Sequence, residues 1–175
     1  MKIIIDTSNK HLFILLIKNG KNISYKLIKD LVKKADALPK VFLEVLGKYK
    51  TKDIKEFYIT IGPGSFTGSR TALVFVRSIC QITKAKIFVT SSIQLIAGPK
   101  GEKEIFIDAR SNMSYYGIVL NGKLKNPIKI IPFKPSTNYN YDELIKSPNE
   151  YLVLFNEVKN ILELKPLYIK KPNIG

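Results

Sequence analysis

The chain has 175 residues, 45% of them hydrophobic, and a formal net charge of +15. Its mean hydropathy lies near zero, so it can bury a core as one domain or two small lobes and is not a disordered chain. The longest clean apolar stretch, Leu12 to Ile17, is too short to span a bilayer, and Asp6 interrupts the apolar start before a secretory segment could form. One cysteine, Cys80, allows no internal disulfide, and a reducing cytoplasm is expected. Of the 29 basic residues only Arg70, Arg77 and Arg110 are arginine. The lysines are scattered, as on a generally cationic surface, and charge alone does not show a surface for nucleic acid.

The elements are predicted in chain order as follows. Ile3 to Asp6 and Leu12 to Ile17 read as strands, and Asn19-Gly20 turns the chain into a third at about 22–28. A helix comes next, broken or started at Pro39 and running to about Tyr49. Strand 57–61 leads through a glycine-rich run to a helix over 69–83, then strand 87–89 and a short helix over 92–97. Gly98-Pro99-Lys100-Gly101 marks a lobe boundary, dividing the chain into 1–98 and 99–175. Strands are expected again at 104–108, 114–120 and 128–132. A Pro- and Tyr-rich stretch over 132–141, a helical turn at 142–145 and a strand at 151–155 follow.

The run Gly62-Pro63-Gly64-Ser65-Phe66-Thr67-Gly68-Ser69-Arg70 is the densest signal. Its glycines and proline make a tight strand-to-helix turn, with Ser65 and Thr67 as good N-caps and N–H groups free for an anion. It is neither a Walker loop, lacking the lysine, nor a dinucleotide fingerprint, having the spacing G-x-G-x-x-x-G. Gly64 or Gly68 is expected at positive φ, or where a Cβ would clash.

The two halves repeat. Ile3 to Asp6, the strand to Ile17 and Asn19-Gly20-Lys21 recur as Ile105 to Asp108, the strand to Leu120 and Asn121-Gly122-Lys123, offset by 102 residues at each step. Asp, strand and turn in one register argue for duplication.

The glycine run resembles the signature of the bacterial TsaB (YeaZ) family of tRNA threonylcarbamoyladenosine biosynthesis proteins. Ile5-Asp6-Thr7-Ser8, Val89-Thr90-Ser91-Ser92-Ile93, Asp108-Ala109-Arg110, Tyr115 and the segment 166–170 are similar to that family too. The repeat resembles the actin, Hsp70 and sugar-kinase superfamily, of which the TsaB family is a reduced member. The implied fold is α/β, two tandem actin/Hsp70-like (ASKHA, ribonuclease H-like) lobes, the second shortened. Met113 stands where the family usually carries an acidic residue, and the second lobe is shorter than the family's, which puts second-lobe functions in doubt.

Catalytic groups are sparse. Asp6 and Asp108 are candidate cleft carboxylates of the kind kinases of this superfamily need for Mg²⁺, or are loop caps next to Ser8 and Ser111. Gly101, Gly117, Gly122 and Gly175 form no nucleotide-clasping cluster in the second half. His11 is the only histidine, so the paired-histidine metal motif of the related catalytic subunit TsaD is absent, and Ser65 has only His11 as a base. Cys80 reads as an inert buried thiol. No catalytic residue, metal or cofactor of its own is expected.

Two helices carry wide apolar arcs. Leu38, Val41, Phe42, Leu43, Val45, Leu46 and Tyr49 span roughly 200° of the first, where one sheet needs little more than about 100°. Ala72, Val76, Ile79 and Cys80 centre the core face of the second. Packing of the two helices on each other explains wide arcs, and so does a partner. TsaB-family subunits use these helices to pair with themselves or with TsaD, so the resemblance implies an interface of Leu38, Val41, Phe42, Val45 and Tyr49 with Thr71, Val74, Phe75, Ser78 and Ile82. A charge at Val41 or Val74 is then expected to be solvated in the free chain.

The expected function is a cytoplasmic, non-catalytic scaffold for threonylcarbamoyl transfer to the adenosine beside the anticodon. Its partners would be a TsaD-type catalytic subunit and a TsaE-type ATPase, with a homodimer when alone. The resemblance leaves room for a nucleotide at the partner interface and for tRNA contacts through surface lysines. The alternatives are a minimal ATP-dependent small-molecule kinase of the same fold and a basic RNA-binding protein.

Overall fold

A computed structural model describes residues 1–169; Lys170, which ends the family-like segment, lies outside them. Strands β1 (Lys2–Asp6), β2 (Leu12–Lys18) and β3 (Lys21–Ile28) form an antiparallel meander. On the other edge of β1, β4 (Glu56–Thr60) and β5 (Lys86–Thr90) run parallel to it. The two-residue strand β10 (Asn156–Glu157) returns to the edge of β5, closing the order β10-β5-β4-β1-β2-β3.

This sheet is buried on both faces, which is why β1 and β2 are continuous apolar runs rather than alternating ones. One face packs Ile3, Ile5, Ile14, Phe57 and Ile59 beneath α1 (Lys34–Leu46) and α2 (Phe66–Thr83). The other packs Ile4, Phe13, Leu15 and Tyr58 against Tyr141, Leu144 and Tyr151, carried on or beside α4 (Asp142–Lys146) and α5 (Pro148–Leu152).

The second sheet is smaller. It comprises β6 (Glu102–Arg110), β7 (Met113–Leu120), β8 (Lys123–Leu124) and β9 (Lys129–Pro132), with β8 and β9 both pairing β7. Helix α3 (Ser92–Ala97) covers one face of it, packing Ile93 and Ala97 on Ile105, Ile107, Tyr115 and Val119.

The duplication is visible in the backbone. Ser8 N donates to Asp6 Oδ1 at 2.9 Å, and Arg110 N donates to Asp108 Oδ1 at 2.7 Å, so both halves close the same Asx turn after the first strand. Both Asn-Gly pairs, 19–20 and 121–122, have two successive positive φ angles, as a type I′ hairpin requires.

Three predicted elements differ. Helix α1 starts at Lys34 and contains Pro39; Ala35, whose carbonyl loses its donor to the proline, is exposed. Gly47, at φ 55°, donates to Leu43 O and ends the helix, so Tyr49 lies beyond it. Helix α2 begins at Phe66, a turn before Ser69, because Ser65 caps it. The strand expected at 151–155 is the end of α5 and a turn. Pro148 sits at the start of that helix, where its fixed φ is favourable, and the strand begins only at Asn156.

Candidate docking surface and the loop that supports it

The glycine turn is held from below by the loop after β1. Ser65 N donates to Ser8 O at 2.9 Å, and Ser65 Oγ accepts from Gly68 N at 3.0 Å. Thr7 Oγ1 donates to Gly68 O at 2.6 Å and accepts from Ala72 N. A Cβ on Gly64 would overlap the Ser8 carbonyl oxygen, and one on Gly68 would overlap the Thr7 carbonyl oxygen. Neither glycine has positive φ, so close approach is the reason both must be glycine. The positive φ of the run falls on Gly62, at 101°, before the cis bond to Pro63.

The same loop binds two more elements. Lys34 Nζ, at the start of α1, donates to Asn9 O at 2.5 Å. Burial pushes the Lys34 ammonium below its ordinary pKa, with the Asp6 charge opposing. Asp6 is fully buried and accepts four hydrogen bonds. Ser8 N and Thr60 Oγ1 donate to Oδ1, and Asn9 Nδ2 and the Tyr141 hydroxyl donate to Oδ2. Four donors fill the acceptor sites of a carboxylate, so no lone pair of Asp6 is left for an outside ligand. The Tyr141 ring stacks on Phe13 at 4.1 Å, and burial beside Asp6 pushes its hydroxyl pKa far up. Asp108 in the other half is exposed and holds only its own turn.

The other titratable groups are structural. His11 Nδ1 accepts from Asp30 N at 3.1 Å, and burial lowers its pKa despite the nearby Asp30. Burial pushes the Cys80 thiol up to about 12. Among the described residues no group of three or more His, Cys, Asp or Glu could hold a metal, and no helix is long and apolar enough to cross a membrane.

The surface above this scaffold is an open groove of about 440 Å³ between the start of α1 and the first half of α2. Ala35 and Leu38 form one wall; Phe66, Thr67, Arg70, Thr71, Val74 and Phe75 form the other. At its rim the Arg70 guanidinium lies 3.9 Å from the Phe66 ring centre and donates to the Tyr168 hydroxyl, while Tyr168 stacks on Phe66 at 5.5 Å. Leu167 N donates to Ile61 O, which anchors this terminal segment beside the glycine turn.

The ten predicted interface residues divide by helix. On α2, Val74 is 58% exposed and Ile82 83%, Ser78 is exposed, and Thr71 and Phe75 are half-buried. Thr71 and Ser78 return their hydroxyls to the carbonyls of Thr67 and Val74 and so present little bulk. On α1 the placement is corrected. Leu38, Val41, Phe42 and Val45 are buried within the chain, and Tyr49 is half-buried past the helix end. Helix α1 packs on the sheet and on α2 at once: Phe42 lies 6.3 Å from Phe57 and meets Phe75 edge-on at 5.2 Å. That double contact consumes the 200° arc and leaves Leu43 as its exposed apolar residue. Sequence reasoning missed Asn9, Lys34, Thr60 and Tyr141, and placed Tyr168 only within the family-like segment 166–170. The Pro- and Tyr-rich stretch was the only signal for Tyr141.

This is an α/β fold, the one that YeaZ adopts. YeaZ from Pseudomonas aeruginosa aligns with a TM-score of 0.66 at 18% identity, over 78% of this chain and 70% of that one. An uncharacterized protein with similarity to peptidase YeaZ, from Pseudomonas aeruginosa, aligns with a TM-score of 0.77 at 15% identity, over 97% of this chain and 99% of that one. No family model matches the sequence. MG208, an uncharacterized protein of Mycoplasma genitalium, is 26% identical over 189 residues, spanning 98% of this chain and 95% of that protein.

Proposed function

We propose that this chain is a TsaB-type subunit of the tRNA threonylcarbamoyladenosine machinery, a scaffold in the cytoplasm that docks a TsaD-type catalytic subunit and works with a TsaE-type ATPase. The observation that carries the reading is the agreement of fold with a YeaZ-like protein over nearly the whole of both chains. The exposed edge of α2 and the groove beside it supply a docking surface. Val74 and Ile82 stand free of the core, and Phe66, Arg70 and Tyr168 form a preorganised aromatic and guanidinium cluster of the kind that anchors interfaces. The same edge pairs two copies when the catalytic subunit is absent. The saturated hydrogen bonding of Asp6 favours a scaffold over the kinase alternative, since a phosphoryl-transfer carboxylate must keep lone pairs for Mg²⁺. Surface lysines add tRNA contacts.

The test is calorimetric titration of the chain against the TsaD-type subunit from the same cell, followed by reconstitution of threonylcarbamoyl transfer. A tight complex with transfer only when both are present is expected. Absence of binding, or turnover of ATP by this chain alone that Asp6→Asn abolishes, would refute it.

A further inference from the structure

The lysines that are scattered along the chain are gathered by the fold. Strands β1, β4 and β5 run parallel, so their first residues, Lys2, Glu56 and Lys86, form one row at one end of the first sheet. Lys55 N donates to Met1 O and Lys86 N to Lys55 O, both at 2.9 Å. The β2–β3 hairpin turns at the same end, where Ile17 lies opposite Lys2. Tyr49, beyond helix α1, joins the hairpin to the rest: its ring centre lies 5.0 Å from Lys18 Nζ and 5.8 Å from Lys48 Nζ. Three short segments, 18–21, 48–56 and 84–86, therefore share one surface. Eight of their 16 residues are lysine, against 29 basic residues in the chain's 175, and their carboxylates are Asp53 and Glu56 alone.

Little of this charge is neutralised. Glu56 pairs with Lys2 at 3.1 Å, and Glu157, arriving on β10, pairs with Lys86 at 3.0 Å. The Asp53 carboxylate is turned to the backbone, where it accepts from Lys50 N at 2.9 Å. Lys18, Lys21, Lys48, Lys50, Lys52 and Lys84 are exposed and make no ion pair among the described residues. Lys18 also stands directly opposite Lys21 in the ladder, a like-charge arrangement that costs stability. Helices α1 and α2 both end here, but their two C-termini offer about one negative charge between them. Six uncompensated lysines on one surface are the footprint of a polyanion.

We propose that this end of the first sheet holds the phosphate backbone of RNA. The inference rests on the proposed role in tRNA modification, which makes RNA the polyanion at hand, and it localises the contact to these six lysines. An ammonium is a point charge without arginine's bidentate fork, so lysines alone grip phosphate and do not read bases. The position suits the role. Helices α1 and α2 begin at the groove and end here, about 20 and 27 Å away at 1.5 Å per residue. The exposed edge of α2 leads from Val74 through Ile82 to Lys84. RNA carried by a catalytic subunit docked on that edge therefore continues onto the lysines without entering the groove. Within the three segments the apolar side chains Tyr49, Ile54 and Ala85 are buried or half-buried, which disfavours insertion into a membrane surface.

The experiment is fluorescence anisotropy of a labelled tRNA transcript titrated with the full chain at about 50 and about 200 mM salt. Five or six phosphate contacts predict a loss of roughly 10²–10³-fold in affinity over that range. The triple variant Lys18→Glu, Lys48→Glu, Lys50→Glu should weaken binding about thirtyfold or more and lower the slope of log affinity against log salt by about three. The matched triple Lys103→Glu, Lys123→Glu, Lys129→Glu changes net charge equally on exposed residues of the second half, and screening should hold its effect below about threefold. Equal losses in the two triples, or no binding by the parent chain at the lower salt, would overturn the proposal. So would tighter binding to vesicles of phosphatidylserine and phosphatidylcholine than to the transcript. Lysine acetylation read by mass spectrometry needs no variant: the transcript should protect Lys18, Lys48, Lys50 and Lys52 but not Lys103, Lys123 and Lys129, and the reverse pattern also overturns it. Docking of the catalytic subunit is titrated separately on the first triple and is expected unchanged. Failure of the RNA result with docking intact refutes this inference alone, whereas failure of the parent chain to dock refutes the proposed function.

Discussion

Replacing Gly64 or Gly68 by alanine tests whether close approach governs the glycine turn. At Gly68, alanine is favoured by helix propensity by up to about 1 kcal/mol. Against that, its Cβ overlaps the Thr7 carbonyl and the Ser65 hydroxyl, and forcing extra volume into packed structure costs about 1–3 kcal/mol. Separation also weakens the bonds from Thr7 Oγ1 to Gly68 O and from Gly68 N to Ser65 Oγ, about 1 kcal/mol each. The net loss is about 2–4 kcal/mol. At Gly64 no helical gain offsets the overlap with the Ser8 backbone, and the loss is about 2–4 kcal/mol. Gly47→Ala is the control: its added Cβ meets nothing within 4 Å, and only its positive φ is strained, at about 1 kcal/mol. Urea unfolding followed by circular dichroism measures all three. If Gly64→Ala and Gly68→Ala cost no more than Gly47→Ala, the turn is not held by the Thr7 and Ser8 carbonyls and the reasoning fails.

Val41 and Val74 should now behave oppositely. Val41 is 4% exposed, so Val41→Glu buries an unpaired charge and destabilises the free chain by at least about 3 kcal/mol, read from its urea midpoint. Val74→Glu should leave that midpoint within about 0.5 kcal/mol and weaken docking tenfold or more by titration. Tyr141→Phe keeps the stack on Phe13 but removes the donor to Asp6 and the acceptor for Asn9, a loss of about 1.5–3 kcal/mol in the same assay. His11 must be neutral to accept from Asp30 N, and its folded pKa lies below the ordinary 6.5. The unfolded chain therefore binds the proton more readily. This stabilisation is full above about pH 6.5 and is lost as pH falls through the folded value. The drop in stability between about pH 7.5 and about pH 5.5 should be smaller in His11→Gln than in the parent.

Local chemistry made much of the fold legible. The Asn-Gly pairs, the Asx turns of Asp6 and Asp108 and the cap at Ser65 each specify backbone through a bond within a few residues, although β6 runs on past Asp108 to Arg110. The interface on α1 was not legible, because a hydrophobic arc records that a face is buried but not by what. Phe42 touches both the sheet and α2, and no periodicity distinguishes α2 from an outside helix. The network around Asp6 was hidden for a related reason. Its partner Tyr141 is 135 residues away and arrives on a segment whose composition signals only a loop. The misread strand at 151–155 is a third case, in which aromatic and β-branched content outweighed a proline well placed to start a helix.

The two aspartates of the repeat share a turn but differ in everything else they hold. Both still close the same turn with their first oxygen. The second oxygen of Asp6 is taken by Asn9 and Tyr141; of the three residues after it, Ser8 O accepts from Ser65 N, Asn9 O accepts from Lys34 Nζ, and the Thr7 hydroxyl donates to Gly68 O. Asp6 has thereby become the fixed point from which the starts of α1 and α2 are positioned, and those two starts are the walls of the groove. The Asp108 side chain gained no such ties and stays at the surface, while its backbone N donates to Ser136 Oγ. One copy of the motif is saturated from within and stiffens the walls of the groove, and the other commits a single oxygen to its own turn.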